Sequence, residues 1–141
     1  MFTQSAKYVI LALVKLASRG PTATAKIQEL AEAADIPYPF LAKLVPMLVR
    51  AGILTSVRGK QGGISFARPP TKITLAELIR LVEGDRFLAS CPFSLTPCRG
   101  QEACPLYPIW DPVRDRISEF LATTSVAVVA AQLAAGPAAD G

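Results

Sequence analysis

Histidine is absent from all 141 residues, and cysteine occurs only three times. The first absence removes a common general base and the usual nitrogen ligand of zinc and haem sites. No nucleophile motif stands out, and no pair of carboxylates sits in a glycine-framed site, so an enzyme is the class this chain fits least. Long apolar runs are missing too. Val9 to Val14 is bracketed by Lys7 and Lys15, and Leu121 to Ala135 is interrupted by Thr123, Thr124, Ser125 and Gln132. Both are too short for a membrane span, and the first lacks a signal-peptide cleavage pattern. The expectation is a soluble cytoplasmic protein without a membrane partner, in a compartment where thiols stay reduced and metal binding is the usual reason to cluster them.

A 51% hydrophobic content is ample for one core, with room for an oligomerisation element. Fifteen Lys and Arg against 11 Asp and Glu leave a net charge of +4, compatible with nucleic acid without requiring it. The placement of charge therefore has to decide.

From Ala6 to about Arg19 almost every residue except Lys7, Lys15 and Ser18 is apolar, so a helix there must be covered on most of its circumference. After the break at Arg19 to Thr22, Thr24 is a candidate N-cap. Ile27, Leu30, Ala31 and Ala34 then follow the spacing of a second helix that stops near Asp35. A third begins about Pro39 and runs to Ala51 on Leu41, Leu44, Val45 and Leu48, with Gly52 ending it. The connection is about four residues long, which makes the pair a candidate helix-turn-helix carrying Lys43 and Arg50 off its apolar stripe. Pro46 lies inside the third helix, where a kink rather than termination is expected because the stripe continues through Leu48.

Ile53 to Val57 and Ile64 to Ala67 read as two short strands joined by Arg58-Gly59-Lys60-Gln61-Gly62-Gly63. Glycine allows positive φ and close approach, while Arg58 and Lys60 charge the tip, a combination suited to a wing against DNA phosphates or in a minor groove. Three glycines also suit a phosphate cradle, but Walker spacing and a strand-to-helix context are lacking. Thr74-Leu75-Ala76-Glu77 is a capping box opening a helix to Gly84. Asp111 is an N-cap candidate, with Pro112 at the first position of a helix through roughly Leu133. A helix that long outruns a small domain. Its surplus apolar face, with that of the first helix, is most simply buried against a second copy in a two-fold homodimer.

Cys91, Cys98 and Cys104 all fall within the segment CPFSLTPCRGQEAC. Thiolates are preferred ligands of iron-sulfur clusters, and closely spaced cysteines on a loop can converge on one cluster. The odd count argues against a closed disulfide framework. A zinc site would want a fourth nitrogen or sulfur that the chain does not offer. Three unrelated free thiols remain the plain alternative, against which their confinement between Ser90 and Pro105 counts.

The segments AKYVILALVKLA, FLAKLVPMLVRAGIL, SVRGKQGGISFARPP and ITLAELIRLVEG, with three cysteines ahead of Trp110, cover nearly the whole chain. Together they resemble the winged-helix bacterial transcription regulators that include IscR, NsrR, RirA and CymR. The wing and the cysteine spacing are the specific parts. The resemblance implies a homodimeric repressor or activator in which a 2Fe-2S or 4Fe-4S cluster, held by Cys91, Cys98 and Cys104, alters operator affinity. Departures are equally legible. Where a cluster regulator has Cys-x-x-His, this chain has Cys104-Pro105-Leu106-Tyr107, and Lys7 stands where a nitric oxide sensor draws an aspartate from the partner. The fourth ligand is open among Glu102, Asp85, Tyr107, a small thiol, water or none; a hard oxygen or an open position would make the cluster labile. Ile36 to Phe40 lacks the serine cap of relatives, and Ala42 stands where some carry a glutamate, so an acceptor for cytosine is missing.

The expected fold is mainly α with a small β-hairpin wing. Residues 1–84 form a winged helix-turn-helix domain, 85–110 a cysteine loop, 111–135 a dimerisation helix and 136–141 a disordered tail. Tyr38, Pro39 and Lys43 are expected on double-stranded DNA in the major groove, with Arg58, Gly59, Lys60 and Gln61 on the wing, at a pseudo-palindromic operator. A thiol-switch regulator of the same fold is the alternative. An iron-sulfur electron carrier or scaffold ranks below both, since it gives the wing no purpose.

Overall fold

The computed structural model describes residues 2–60, 62–85 and 104–136. Helix α1 (Gln4–Ser18) is started by Thr3, whose hydroxyl accepts the Ala6 N–H at 3.2 Å. Its apolar circumference is largely covered by the chain itself. Val9, Leu13 and Leu16 are fully buried against α2 (Ile27–Ala34), α3 (Tyr38–Arg50), α4 (Leu75–Glu83) and α6 (Val126–Ala134). Helix α6 supplies part of that cover, its Val126 and Ala130 joining the same core.

Helix α2 starts later than Thr24 suggests. The backbone of Ala25 is taken up in a bridge with Ile64, with N–H···O distances of 3.0 and 2.8 Å, so Lys26 becomes the N-cap and Thr24 stays exposed. The turn to α3 spans 35–37, with Asp35 in the left-handed region at φ 54 and ψ 48. The N–H of Ile36 returns to the Ala31 carbonyl at 2.8 Å, and Ile36 is itself buried, as in a Schellman-type end. Helix α3 runs through Pro46 to Arg50 and buries Leu41, Val45 and Leu48.

The wing is an antiparallel pair, β1 (Leu54–Val57) and β2 (Gly63–Phe66), in register Leu54↔Phe66 and Val57↔Gly63. At φ 153 Gly63 is pressed against the neighbouring backbone, and a Cβ there would collide with the Ala25 carbonyl oxygen. Glycine is therefore required where the wing joins the start of α2. Beyond the wing, a 3-10 turn (Pro70–Lys72) leads to α4. The Thr74 hydroxyl accepts the Glu77 N–H at 3.2 Å, which is the threonine half of the expected capping box, while the Glu77 carboxylate pairs with Arg68. Arg68 also donates to the Gly52 carbonyl at 3.4 Å, tying the wing's exit to the end of α3.

The carboxyl-terminal region differs from the single helix read from sequence. Helix α5 (Tyr107–Thr123) opens ahead of Asp111, with Pro108 in its first turn and Pro112 inside. It ends at Thr124, which is extended, and Ser125 starts α6 by accepting the Val128 N–H at 3.1 Å. The break has a tertiary cause. Leu75 N–H donates to the Thr124 carbonyl at 3.0 Å and Val126 N–H to the Ile73 carbonyl at 2.9 Å, so backbone groups at the junction bond to the start of α4. A small cluster of Leu75, Ile79 and Leu121 seals that joint. Residues 137–141, expected as a frayed tail, lie outside the described residues.

Candidate nucleic-acid interface and cysteine segment

Tyr38 and Pro39 open α3 and are exposed, Tyr38 at 46%. No side chain caps this end, since Pro37 occupies the N-cap position. It is steadied instead by an aromatic contact absent from the sequence reading: Phe40 meets Tyr8 of α1 edge to face, with centroids 5.0 Å apart and planes at 83°. The signal was there only in the sense that both rings sit on helices; their meeting requires the packing of α1 on α3. Lys43 lies one turn further along, exposed.

On the wing, Arg58, Gly59 and Lys60 are exposed at the tip, and Gln61 falls outside the described residues. The structure brings wing and helix together on one side. Tyr38, Lys26, Gln28, Ser56, Gly59 and Gly63 line a shared concavity of about 350 Å³. A start of α2 at Thr24, which the residue pattern favours, leaves no reason to place Lys26 and Gln28 beside the wing; the bridge of Ala25 to Ile64 brings them there. Among the described residues, none of Lys26, Lys43, Arg58 and Lys60 forms an ion pair. Their charge is available to an external anion. A solvent-exposed helix end, a basic hairpin and a concave strip between them are the layout with which winged helices meet a duplex, helix toward the major groove and hairpin toward the backbone or minor groove.

Of the three cysteines, Cys91 and Cys98 lie outside the described residues. Cys104 is a free, half-buried thiol directly ahead of α5, and its carbonyl accepts the Tyr107 N–H at 3.1 Å. Tyr107 belongs to a polar group on α5. Arg114 donates to the Tyr107 hydroxyl at 3.4 Å, lies 5.6 Å from its ring centre and pairs with Asp111. The Arg114 guanidinium is held above its usual value, first by that bond to Tyr107, against some desolvation, and then by the charge of Asp111. Residues 107, 111 and 114 share one helical face only because α5 starts at Tyr107, so a helix begun at Asp111 concealed the group. Asp85 is exposed and paired with Arg80, while Glu102 lies outside the described residues.

Fold and surface define a winged helix-turn-helix protein of the transcription-regulator class. The chain matches the Rrf2 family, described as an iron-dependent transcriptional regulator, over residues 2–132, and it belongs to that family. It is 31% identical over 129 residues to a protein of Aquifex aeolicus described as an HTH-type transcriptional regulator, covering 89% of this chain and 88% of that one. A Mycobacterium tuberculosis protein of the same description is 30% identical over 131 residues, covering 89% and 78%. Among solved structures, IscR of T. potens superposes with a TM-score of 0.76 at 26% identity, over 100% of this chain and 93% of that one. CymR, the global cysteine regulator of B. subtilis, superposes at 0.77 with 23% identity, over 94% and 97%. Among the described residues, no helix is long and apolar enough to cross a membrane.

Proposed function

We propose that this regulator is a cytoplasmic homodimer that binds a pseudo-palindromic DNA operator, with affinity gated by an iron-sulfur cluster on Cys91, Cys98 and Cys104, most simply as a repressor. The observation that supports the DNA reading is the shared concavity lined by Lys26, Tyr38 and, on the wing, Ser56 and Gly59, with Lys43 exposed on α3, Arg58 and Lys60 exposed on the wing, and none of these four cations in an ion pair among the described residues. Tyr38, Pro39 and Lys43 enter the major groove, and Arg58, with Gly59, Lys60 and Gln61, lies in or beside the minor groove. Arginine suits a narrow groove because its guanidinium is less strongly hydrated than an ammonium. Replacing Arg58 by Ala weakens operator binding by roughly 1–3 kcal/mol and flattens its salt dependence, as read by fluorescence anisotropy at several salt concentrations. Unchanged affinity and slope would make the wing a solvated hairpin.

The donor set fits an iron-sulfur cluster: three sulfurs within one segment, no nitrogen ligand anywhere, and Cys104 free and half-buried at the segment's end. When bound, the cluster would supply a chemically labile link that redox state, iron supply, oxygen or nitric oxide can break. Cys104 would hold the group next to α5, and Tyr107, one turn on, is a candidate further ligand. Anaerobically purified protein is expected to be coloured, and Cys91→Ala, Cys98→Ala and Cys104→Ala each lower the iron and sulfide content while the circular dichroism stays unchanged. Colourless protein after anaerobic reconstitution, with operator binding that follows thiol oxidation, would replace the cluster by a thiol switch.

The dimer reading rests on α5. It buries only Leu121, while Ile109, Val113 and Phe120 are exposed, an apolar face that a second copy related by a two-fold would cover.

A further inference from the structure

The exposed surface of α3 is chemically one-sided. Its exposed residues are Tyr38, Pro39, Phe40, Lys43, Pro46 and Arg50. Pro39, Lys43, Pro46 and Arg50 recur at the i, i+4, i+7, i+11 spacing of one helical stripe, with Ala42 half-buried beside it. Along this face there is no carboxylate, no side-chain amide and no serine or threonine. The Tyr38 hydroxyl is its one neutral polar group.

That inventory limits what the face can read. In the major groove, adenine is recognised through paired donor and acceptor edges by Asn or Gln, and cytosine donates to Asp or Glu. Neither partner is present on the face. Guanine offers two acceptors, which Lys43 and Arg50 can meet, and thymine offers a methyl group that only apolar surface recognises. Phe40 is partly committed to Tyr8, which leaves the Tyr38 ring and the Pro39 ring as the projecting apolar surface at the end that approaches the bases.

We infer that α3 reads its operator by apolar contact with thymine methyl groups, through Tyr38 and Pro39, with Lys43 selecting guanine. The inference rests on the DNA-binding reading above and deepens it by naming the operator chemistry: half-sites whose major-groove identity resides in thymine methyls and guanines. A missing hydrogen-bonding code becomes a specificity in its own right. An apolar ring packed on a methyl group gains from burying it, and a methylene-sized group removed from such a contact changes binding roughly fourfold.

The test separates this inference from the reading beneath it. Operators are selected from a random-sequence duplex pool with the full-length protein, and each is remade with deoxyuridine at one thymine at a time. Uracil keeps every base-pairing and minor-groove group and lacks only the methyl. The expected result is a loss of roughly fourfold for each contacted methyl, at one or two positions per half-site. Tyr38→Ala should bring the thymine-to-uracil ratio at its position close to one, while Arg58→Ala weakens both operators alike and leaves the ratio unchanged. A selected operator that tolerates uracil at every position within twofold overturns this inference and leaves DNA binding standing. Failure to retain any duplex overturns both.

Discussion

Between Gln4 and Glu83 the core holds Leu13, Leu16, Leu30, Leu41, Leu48 and Leu78 at 1% exposure or less, whereas α5 leaves Ile109, Val113 and Phe120 at 70%, 47% and 56%. The two regions use apolar residues for different ends. In the first, side chains from five helices and the wing meet in one cluster and stabilise the single chain. In the second, the apolar residues form a face left exposed among the described residues, so their burial is available for association. Helix α6 belongs with the first region despite its place in the sequence, because Val126 is fully buried in the main core. Truncation after Trp110 would therefore strip the core along with the proposed dimer face, and only point substitutions tell the two apart.

The largest expected effect is in the core. Leu48→Ala removes a fully buried side chain of the main core cluster and should lower unfolding free energy by about 3 kcal/mol in urea denaturation. A loss below about 1 kcal/mol would mean that the site collapses around the smaller residue. On α5 the same kind of chemistry should leave the monomer's fold alone. Ile109→Glu combined with Phe120→Glu places two carboxylates on the exposed face, and sedimentation equilibrium should show the dimer converted to monomer with helical content unchanged. A variant that still sediments as a dimer would move the interface off α5. The smallest effect concerns the turn before α3. Asp35 sits in the left-handed region at the carboxyl end of α2, where glycine carries no steric cost and a negative charge opposes the helix dipole. Asp35→Gly should raise stability by about 0.5–1 kcal/mol, seen as a small rise in melting temperature. A decrease would show that the aspartate contributes to the turn beyond its backbone geometry.

Legibility followed the range of the forces involved. Helices α1 to α4, their order and the two wing strands could be read from the sequence because periodicity, Thr74, Gly52 and Gly84 act within a turn or two of themselves. The exposed, basic character of Lys43, Arg58 and Lys60 was equally plain, since polar residues off an apolar stripe have nowhere else to go. The start of α2 departs from the residue pattern because Ala25 bonds to Ile64, and the C-terminal helix is split because Leu75 and Ile73 bond the backbone at Thr124 and Val126. The partners in both cases are distant in the chain.

The sequence by itself determined the class of the protein: a helix-turn-helix, a glycine-rich basic hairpin and three closely spaced cysteines in a chain with no histidine. Each of these is written in residue types and short spacings. Tertiary structure alone decided that α6 covers α1, that Tyr8 steadies the start of α3 through Phe40, that Lys26 and Gln28 share a concavity with the wing, and that α5 is left with an open apolar face. The physical reason is that burial and long-range hydrogen bonding are properties of which surfaces meet, and a pattern along one segment states only that it needs a partner, not which one it finds.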